Sequence, residues 1–370
     1  MTRRFALILL SLLLALGLAV LAAAAMGAVE VPVHSVVGIL LRSAGLQLPV
    51  TWPTTDERII LEVRLPRIVT AILVGAALSQ AGVIFQGLLR NPMADPYIIG
   101  TSGGAALGAT VAMMLPLLLA GLPVGLQTWA DPLSHLPLGE ETRQALSAGL
   151  GFSPVPVMAF AGALGAVMAV YTVARVGPRT PVVTLLLAGF ATSSLLAAVM
   201  SFLMLLSGSA LQRIVFWTMG GLSVLGWTQI AVVAPLILGA MAAAYALAWD
   251  LNVLLLGEEH ASYLGLDVER RKVLLLALGS LLTGASISLS GLVGFVGLVV
   301  PHVTRLLLGP DHRVLLPASA LVGATFLLLA DLLARTIMAP TEMPVGIITA
   351  LVGAPFFIYL LRKTKRAYSF

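Results

Sequence analysis

Apolar residues run through this chain in stretches of about 20, broken by short polar segments and without the period-two alternation of strands. As a helix, about 20 residues cross a hydrocarbon layer of about 30 Å. Inside a bilayer the backbone must satisfy its own hydrogen bonds, which leaves helices or closed barrels, and unbroken apolar runs fit helices. The pattern predicts spans near residues 5–28, 65–88, 98–120, 154–175, 182–206, 228–249, 273–290, 292–308, 314–334 and 345–361. The fold class is therefore an all-α polytopic membrane protein of about ten transmembrane helices, with residues 1–370 as one domain.

Two joins are weakly marked. Residues 207–226, "SGSALQRIVFWTMGGLSVLG", are too polar and glycine-rich for a span and read as a short external helix and a turn. Ser290 and Gly291 join the seventh and eighth spans without a polar loop, so that pair also reads as one long kinked element. The first apolar run has the basic and small flanking residues of a signal peptide. Its length, from Phe5 to about Ala28, exceeds the roughly 7 to 15 residues of a signal core, and it reads as a retained span.

An even number of spans puts both termini on one side. With the N-terminus inside, fourteen of the 21 Lys and Arg fall on the inner side, as the positive-inside rule favours. Loops near 29–63, 121–153 and 207–226 then lie outside, and 250–272 is the longest charged stretch inside.

Composition narrows the chemistry. Apolar residues make up 59%, charged residues only 10%, and the mean hydropathy is +1.04. The net charge of +5 is what membrane topology asks for and is read so, rather than as a nucleic-acid surface. Without cysteine the chain has no disulfide, thiolate nucleophile or sulfur-ligated metal. The five histidines, at 34, 135, 260, 302 and 312, are scattered, and no metal site is expected. No phosphate loop, zinc helix or nucleophile elbow occurs, so the chain is not expected to be an enzyme. Gly291, Gly294 and Gly297, like Gly104 and Gly108, read as residues that let helices approach closely. Asp331, within "LLLADLLAR", reads as the partner of Arg335 at i+4 or as a backbone cap, in preference to a proton relay. An ion-gradient-driven secondary transporter is the alternative class, but it needs several ionisable groups at mid-membrane where little beyond Asp331 is present. An intramembrane enzyme would need clustered acids, histidines or a positioned nucleophile.

One charged island stands out: "GEEHASYLGLDVERRK", residues 257–272, with four acids, three bases and a histidine. Its apolar set of Ala261, Leu264, Leu266 and Val268, with a break at Gly265, reads as two short helices rather than a random connection.

Two segments carry a resemblance. Residues 64–108 contain R-L-P-R and R-N-P-x-A-D-P, and residues 291–363 contain V-P-H-x-x-R, D-H-R-x-L-L-P and P-x-G-x-x-T-A-x-x-G-A-P-x-F, in that order. Together they resemble the FecCD family, the permeases of ATP-driven importers for iron-siderophores, haem and cobalamin. The resemblance implies the type II ABC importer permease fold in the bacterial inner membrane, with both termini cytoplasmic. It also implies a second permease copy, two cytoplasmic ATPase subunits that use ATP and Mg, and a periplasmic or lipid-anchored binding protein. No cofactor is expected on this chain. Arg64 and Arg67, one helical turn apart, and Arg335 would meet acidic groups on the binding protein. Ser79, Gln80, Gln86, Asn91, Pro92, Met93, Val182 and Val183 would line the pathway or its inner gate, between walls of small residues that include Ala76, Ala77, Gly82 and Gly87. The valines stand where small hydroxyl residues are expected in cobalamin-type members. Glu258, Glu259, His260, Ala261, Leu264, Gly265, Leu266 and Val268 would form the element that couples to the ATPase.

Overall fold

The structure is a computed structural model that describes residues 3–27, 29–120, 154–177, 179–222 and 226–365. The expected outer loop 121–153, with Arg143, and the terminal Arg366 lie outside the described residues. In chain order the helices are α1 (Arg3–Ala25), α2 (Val33–Ser43), α3 (Thr54–Arg58), α4 (Leu65–Leu88), α5 (Thr101–Ala120), α6 (Pro154–Ala174), α7 (Val182–Leu206) and α8 (Leu211–Thr218). They continue with α9 (Trp227–Ala246), α10 (Ala248–Leu254), α11 (Glu258–Tyr263), α12 (Val268–Ser290), α13 (Val296–Leu308), α14 (His312–Thr336) and α15 (Val345–Lys365). A π-helical turn, Ile59–Arg64, feeds α3 into α4.

Helices α1, α4–α7, α9 and α12–α15 correspond one to one with the ten expected spans. Among the described residues seven are long and apolar enough to cross a membrane, and α5, α13 and α15 contribute shorter apolar stretches. The short helix expected within 207–226 is present as α8, and the join at Gly291 is a sharp turn between two helices. One segment differs from expectation. Most of 250–272 is helical, as α10, α11 and the first turn of α12, so the second short helix expected there is the start of a long one.

Helix α4 occupies the centre, packed by α14, α12, α13 and α9, and every residue from Leu73 to Leu88 is buried. Small residues make this possible. A Cβ on Gly82 would stand 1.8 Å from the carbonyl oxygen of Gly297 on α13, and one on Gly104 of α5 would stand 2.2 Å from that of Gly162 on α6. In lipid there is no hydrophobic force between helices, so such close backbone contact supplies the packing energy. Gly294 does not fit this reading: it has open space around it and belongs to the α12–α13 turn.

That turn lies within the bilayer's depth, because the 13 residues of α13 span only about 20 Å. Its backbone groups therefore need partners. Tyr97 supplies two: its hydroxyl donates to the carbonyl of Val293 at 2.9 Å and accepts from the N–H of the same residue at 3.1 Å. Tyr97 sits on a 3₁₀ turn, Pro96–Ile99, whose N-cap Asp95 accepts from its amide at 2.8 Å. A Cβ on Gly297 would meet both Pro96 and the Leu78 carbonyl, so Pro96 lies beside the middle of α4. The chain after α4 thus folds back into the membrane along α13.

Packing through glycine predicts that Gly82→Ala destabilises the bundle by roughly 1–3 kcal/mol through overpacking. Gly17→Ala on α1, where nothing lies within 4 Å, should leave stability unchanged or slightly raised. Thermal unfolding in detergent compares the two, and equal midpoints would contradict backbone contact at Gly82.

Candidate functional site

The end of the bundle that carries α11 is built around a helix stop. Leu264 caps α11 and Gly265 follows at φ +83°, a left-handed conformation that glycine takes without strain. The Leu266 amide donates to the Ala261 carbonyl at 3.1 Å and the Gly265 amide to Ser262 at 2.9 Å, the paired bonds of a Schellman stop. Ala261 and Leu266 are buried beneath, whereas Tyr263 is 80% and Leu264 59% exposed. Asp267 then caps α12 by accepting from the Arg270 amide at 3.1 Å. Sequence reasoning placed Ala261, Leu264 and Leu266 in one apolar set. The structure splits it into an anchor and a displayed face.

Ion pairs fix this element to the helices above it. Lys272, at 7% exposure, holds Nζ 3.2 Å from Glu258 and 2.9 Å from Glu269. Arg271 pairs with Asp250 of α10 at 3.2 Å. On the far side of α10, Asn252 accepts from the His312 amide at 2.9 Å and donates to Asp311 at 2.7 Å. Those two bonds orient the amide, so the 2.7 Å contact of His312 Nδ1 with Asn252 Oδ1 requires the proton on Nδ1. The Asn252 amide also holds the Asp311 carboxyl below the usual carboxylate range. Glu259 and His260 are exposed on α11 and Val268 opens α12.

Of the expected pathway residues, only some face outward. Asn91 and Pro92 are exposed at the turn after α4, where the Asn91 side chain accepts from the Met93 amide at 3.0 Å. Val183 is exposed at the start of α7, and Val182 shares a small apolar crevice with Leu88 and Leu89. Ser79, Gln80 and Gln86 are buried inside the subunit in this structure. Gln86 donates to the Leu298 carbonyl at 3.1 Å and accepts from Arg305 at 2.8 Å, binding α4 to α13. A Cβ on Gly323 would strike the Ser79 hydroxyl. Ala76, Ala77, Gly82 and Gly87 are likewise buried helix contacts. A mainly apolar crevice with a few polar groups, which sequence reasoning missed, lies on the outside of the bundle. Asp95, Tyr97, Ser102 and Ser193 line it beside Phe190 and Phe295.

At the opposite end the three expected docking arginines have other partners. Asp331 is fully buried; Arg67 Nε lies 3.0 and 3.1 Å from its two oxygens and Nη2 lies 2.9 Å from Oδ1. Arg67 also reaches Glu342 at 2.8 Å. Arg335 Nε stands 3.2 Å from Asp331, an ion-pair distance without hydrogen-bond alignment, and its Nη2 donates to the Ala23 carbonyl at 3.1 Å. Arg64 donates to the carbonyls of Ala24, Ala25 and Val29. The last carbonyls of a helix have no partner within it, and cations suit that end. Two arginines therefore close the C-terminus of α1. Next to Arg67 and Glu342, an apolar cavity of about 700 Å³ opens between α6, α8, α9 and α12.

A family model described as the FecCD transport family matches residues 12–363. The chain belongs to the FecCD transport family. It is 46% identical to the cobalamin import system permease protein of Halobacterium salinarum over 84% of this chain and 75% of that one. It is 39% identical to the hemin transport system permease protein of Yersinia pestis, over 86% and 88%. A solved metal-chelate type ABC transporter in an inward-facing conformation matches 97% of this chain and 99% of its own, with a TM-score of 0.75 at 29% identity. The protein is a multi-span permease subunit of an ATP-binding-cassette importer.

Within this FecCD permease, Arg64 and Arg335 are turned inward, so neither presents a free cation at this surface. Arg64 closes α1 and Arg67 holds Asp331, while Arg335 between them contacts both α1 and Asp331. The i+4 pairing of Asp331 with Arg335 is present. Arg67 and Glu342 were missed as its companions, since 264 and 275 residues separate Arg67 from its two acids and no local spacing marks them. Removing one partner of a buried pair leaves an uncompensated charge, so Asp331→Ala should cost about 3–5 kcal/mol. Arg58→Ala, at an exposed position, should cost little. Denaturation of the two variants in detergent measures this, and a native-like Asp331→Ala would refute the central role of the pair.

Proposed function

We propose that two copies of this chain enclose a central pathway and import a bulky, rigid ligand of the cobalamin, haem or ferric-siderophore class, driven by ATP hydrolysis in two partner ATPases. The observation that carries this reading is the displayed face of α11. Tyr263 and Leu264 stand exposed on a short helix whose other side is pinned by Ala261, Leu266 and Lys272. An apolar face held rigid among charges suits a protein groove better than water. On this reading α11 and both termini are cytoplasmic, in the bacterial inner membrane. A periplasmic or lipid-anchored binding protein delivers ligand at the Asp331 end. The chain itself holds no cofactor, and ATP and Mg belong to the ATPase.

The exposed faces of α7 favour a second copy. Val183, Leu187, Phe190, Phe202 and Leu205 are open, yet Thr192, Ser193 and Ser194 interrupt the apolar helix beside the Asp95 crevice. Polar groups at that depth belong against a water-filled path or a partner, not lipid. Docking of the binding protein would rest on surface around the Arg67–Glu342 pair, with Glu342 half exposed. An ion-gradient mechanism has little to work with, because Asp331 is committed to two arginines.

Leu264→Asp should leave the bundle folded, since the side chain is exposed, while transported ligand per ATP falls at least about fivefold, within the usual range of coupling energies. The assay is uptake and ATP hydrolysis by the assembled transporter in proteoliposomes with loaded binding protein; full coupling would sink the α11 assignment. The same vesicles, offered cobalamin, haemin or a ferric siderophore, should show ATPase stimulation by one class. Uptake driven by an ion gradient without ATP would overturn the mechanism.

A further inference from the structure

The first turn of α12 joins two segments that lie far apart in the sequence. Lys272 Nζ is 3.2 Å from Glu258 Oε1 on α11 and 2.9 Å from Glu269 Oε1 on its own helix. The other oxygen of Glu269, Oε2, accepts from the backbone amide of Thr180 at 3.0 Å. Thr180 is buried and immediately precedes Pro181, the N-cap of α7, and Val182. An unbroken chain of polar contacts therefore runs from α11 through Lys272 and Glu269 into the α6–α7 loop.

The chemistry suits transmission. Each contact involves at least one ionised group, and charge-assisted hydrogen bonds are the stronger kind. Lys272 is nearly enclosed, so water competes weakly for its ammonium. The receiving loop is itself braced: Val176 and Arg179 exchange backbone hydrogen bonds at 2.9 and 3.2 Å. A pull on the Thr180 amide then moves the loop as a body and carries the N-terminus of α7 with it. The amide matters more than the Thr180 hydroxyl, because the contact is to backbone.

We propose that Glu269 is the positioning residue that passes the movement of α11 to the α6–α7 loop and so to the start of α7. This rests on the reading of α11 as the ATPase contact. In the complete transporter, Glu269→Ala should lower transported ligand per ATP at least about fivefold while basal hydrolysis stays near that of the parent, with a lower thermal midpoint because Lys272 and the Thr180 amide each lose a partner. Glu269→Gln keeps an acceptor for the Thr180 amide but loses the charge facing Lys272, and should fall between the two. Parent-level coupling in both variants overturns the relay. So does a parallel fall of hydrolysis, transport and thermal midpoint, which marks a structural role. Leu264→Asp separates the two ideas: if it uncouples while both Glu269 variants remain coupled, only the relay fails. If Leu264→Asp also stays coupled, the α11 contact itself is wrong.

Discussion

Helix α4 can sit at the centre of this permease because other helices meet Arg67 and Gln86, the long polar side chains at its two ends. Arg67 is held by Asp331, and Gln86 lies between the Leu298 carbonyl and Arg305. Gln80 reaches the Leu316 carbonyl over a longer 3.4 Å. Arg64, in the turn before α4, closes the end of α1. Lipid offers no hydrogen bonds, so each such group is costly unless a neighbour supplies one. The result is a helix that specifies its neighbours. Glycines at 75 and 82 bring backbones into contact with α14 and α13, and the polar side chains fix the register of that contact.

The same constraint governs the chain's two irregular stretches. The α12–α13 turn exposes backbone at membrane depth, and Tyr97 binds both polar groups of Val293 there. Tyr97 reaches that position because the chain after α4 re-enters the bilayer instead of ending at its surface. The two stretches thus support one another: the turn needs the hydroxyl, and the re-entrant 3₁₀ turn packs Pro96 onto Gly297 in the first turn of α13.

Hydropathy made the ten spans legible because the bilayer imposes a length on any helix that crosses it. Charge made the α11 end legible for a related reason, since four acids and three bases within residues 257–272 belong outside lipid. What hydropathy cannot carry is direction around a helix in a bundle where one helix has no lipid face. An arginine at a span's end reads as interfacial whether it snorkels outward or turns in to bind a helix terminus, and Arg64 and Arg335 turn in. Ser79, Gln80 and Gln86 pose the same ambiguity, because a buried helix contact and a pathway wall call for similar residues. Asp331 was half legible: i+4 spacing revealed Arg335, while Arg67 required the tertiary fold.

The two ends of the α10–α12 element are held with different stiffness. Toward α14 the grip is tight, since Asn252 makes three hydrogen bonds of 2.7–2.9 Å to Asp311 and His312, and the His312 ring lies against Gly87 of α4. Moving α10 relative to α14 would break all three at once and leave a buried imidazole with neither nitrogen satisfied. Toward α7 the polar grip among the described residues is one carboxylate on one backbone amide, beside a small apolar crevice. A force applied at α11 therefore meets a firm support on one side and a lighter, directed contact on the other. Displacement concentrates where the restraint is least, at the α6–α7 loop, and the helix that begins there has a largely exposed flank.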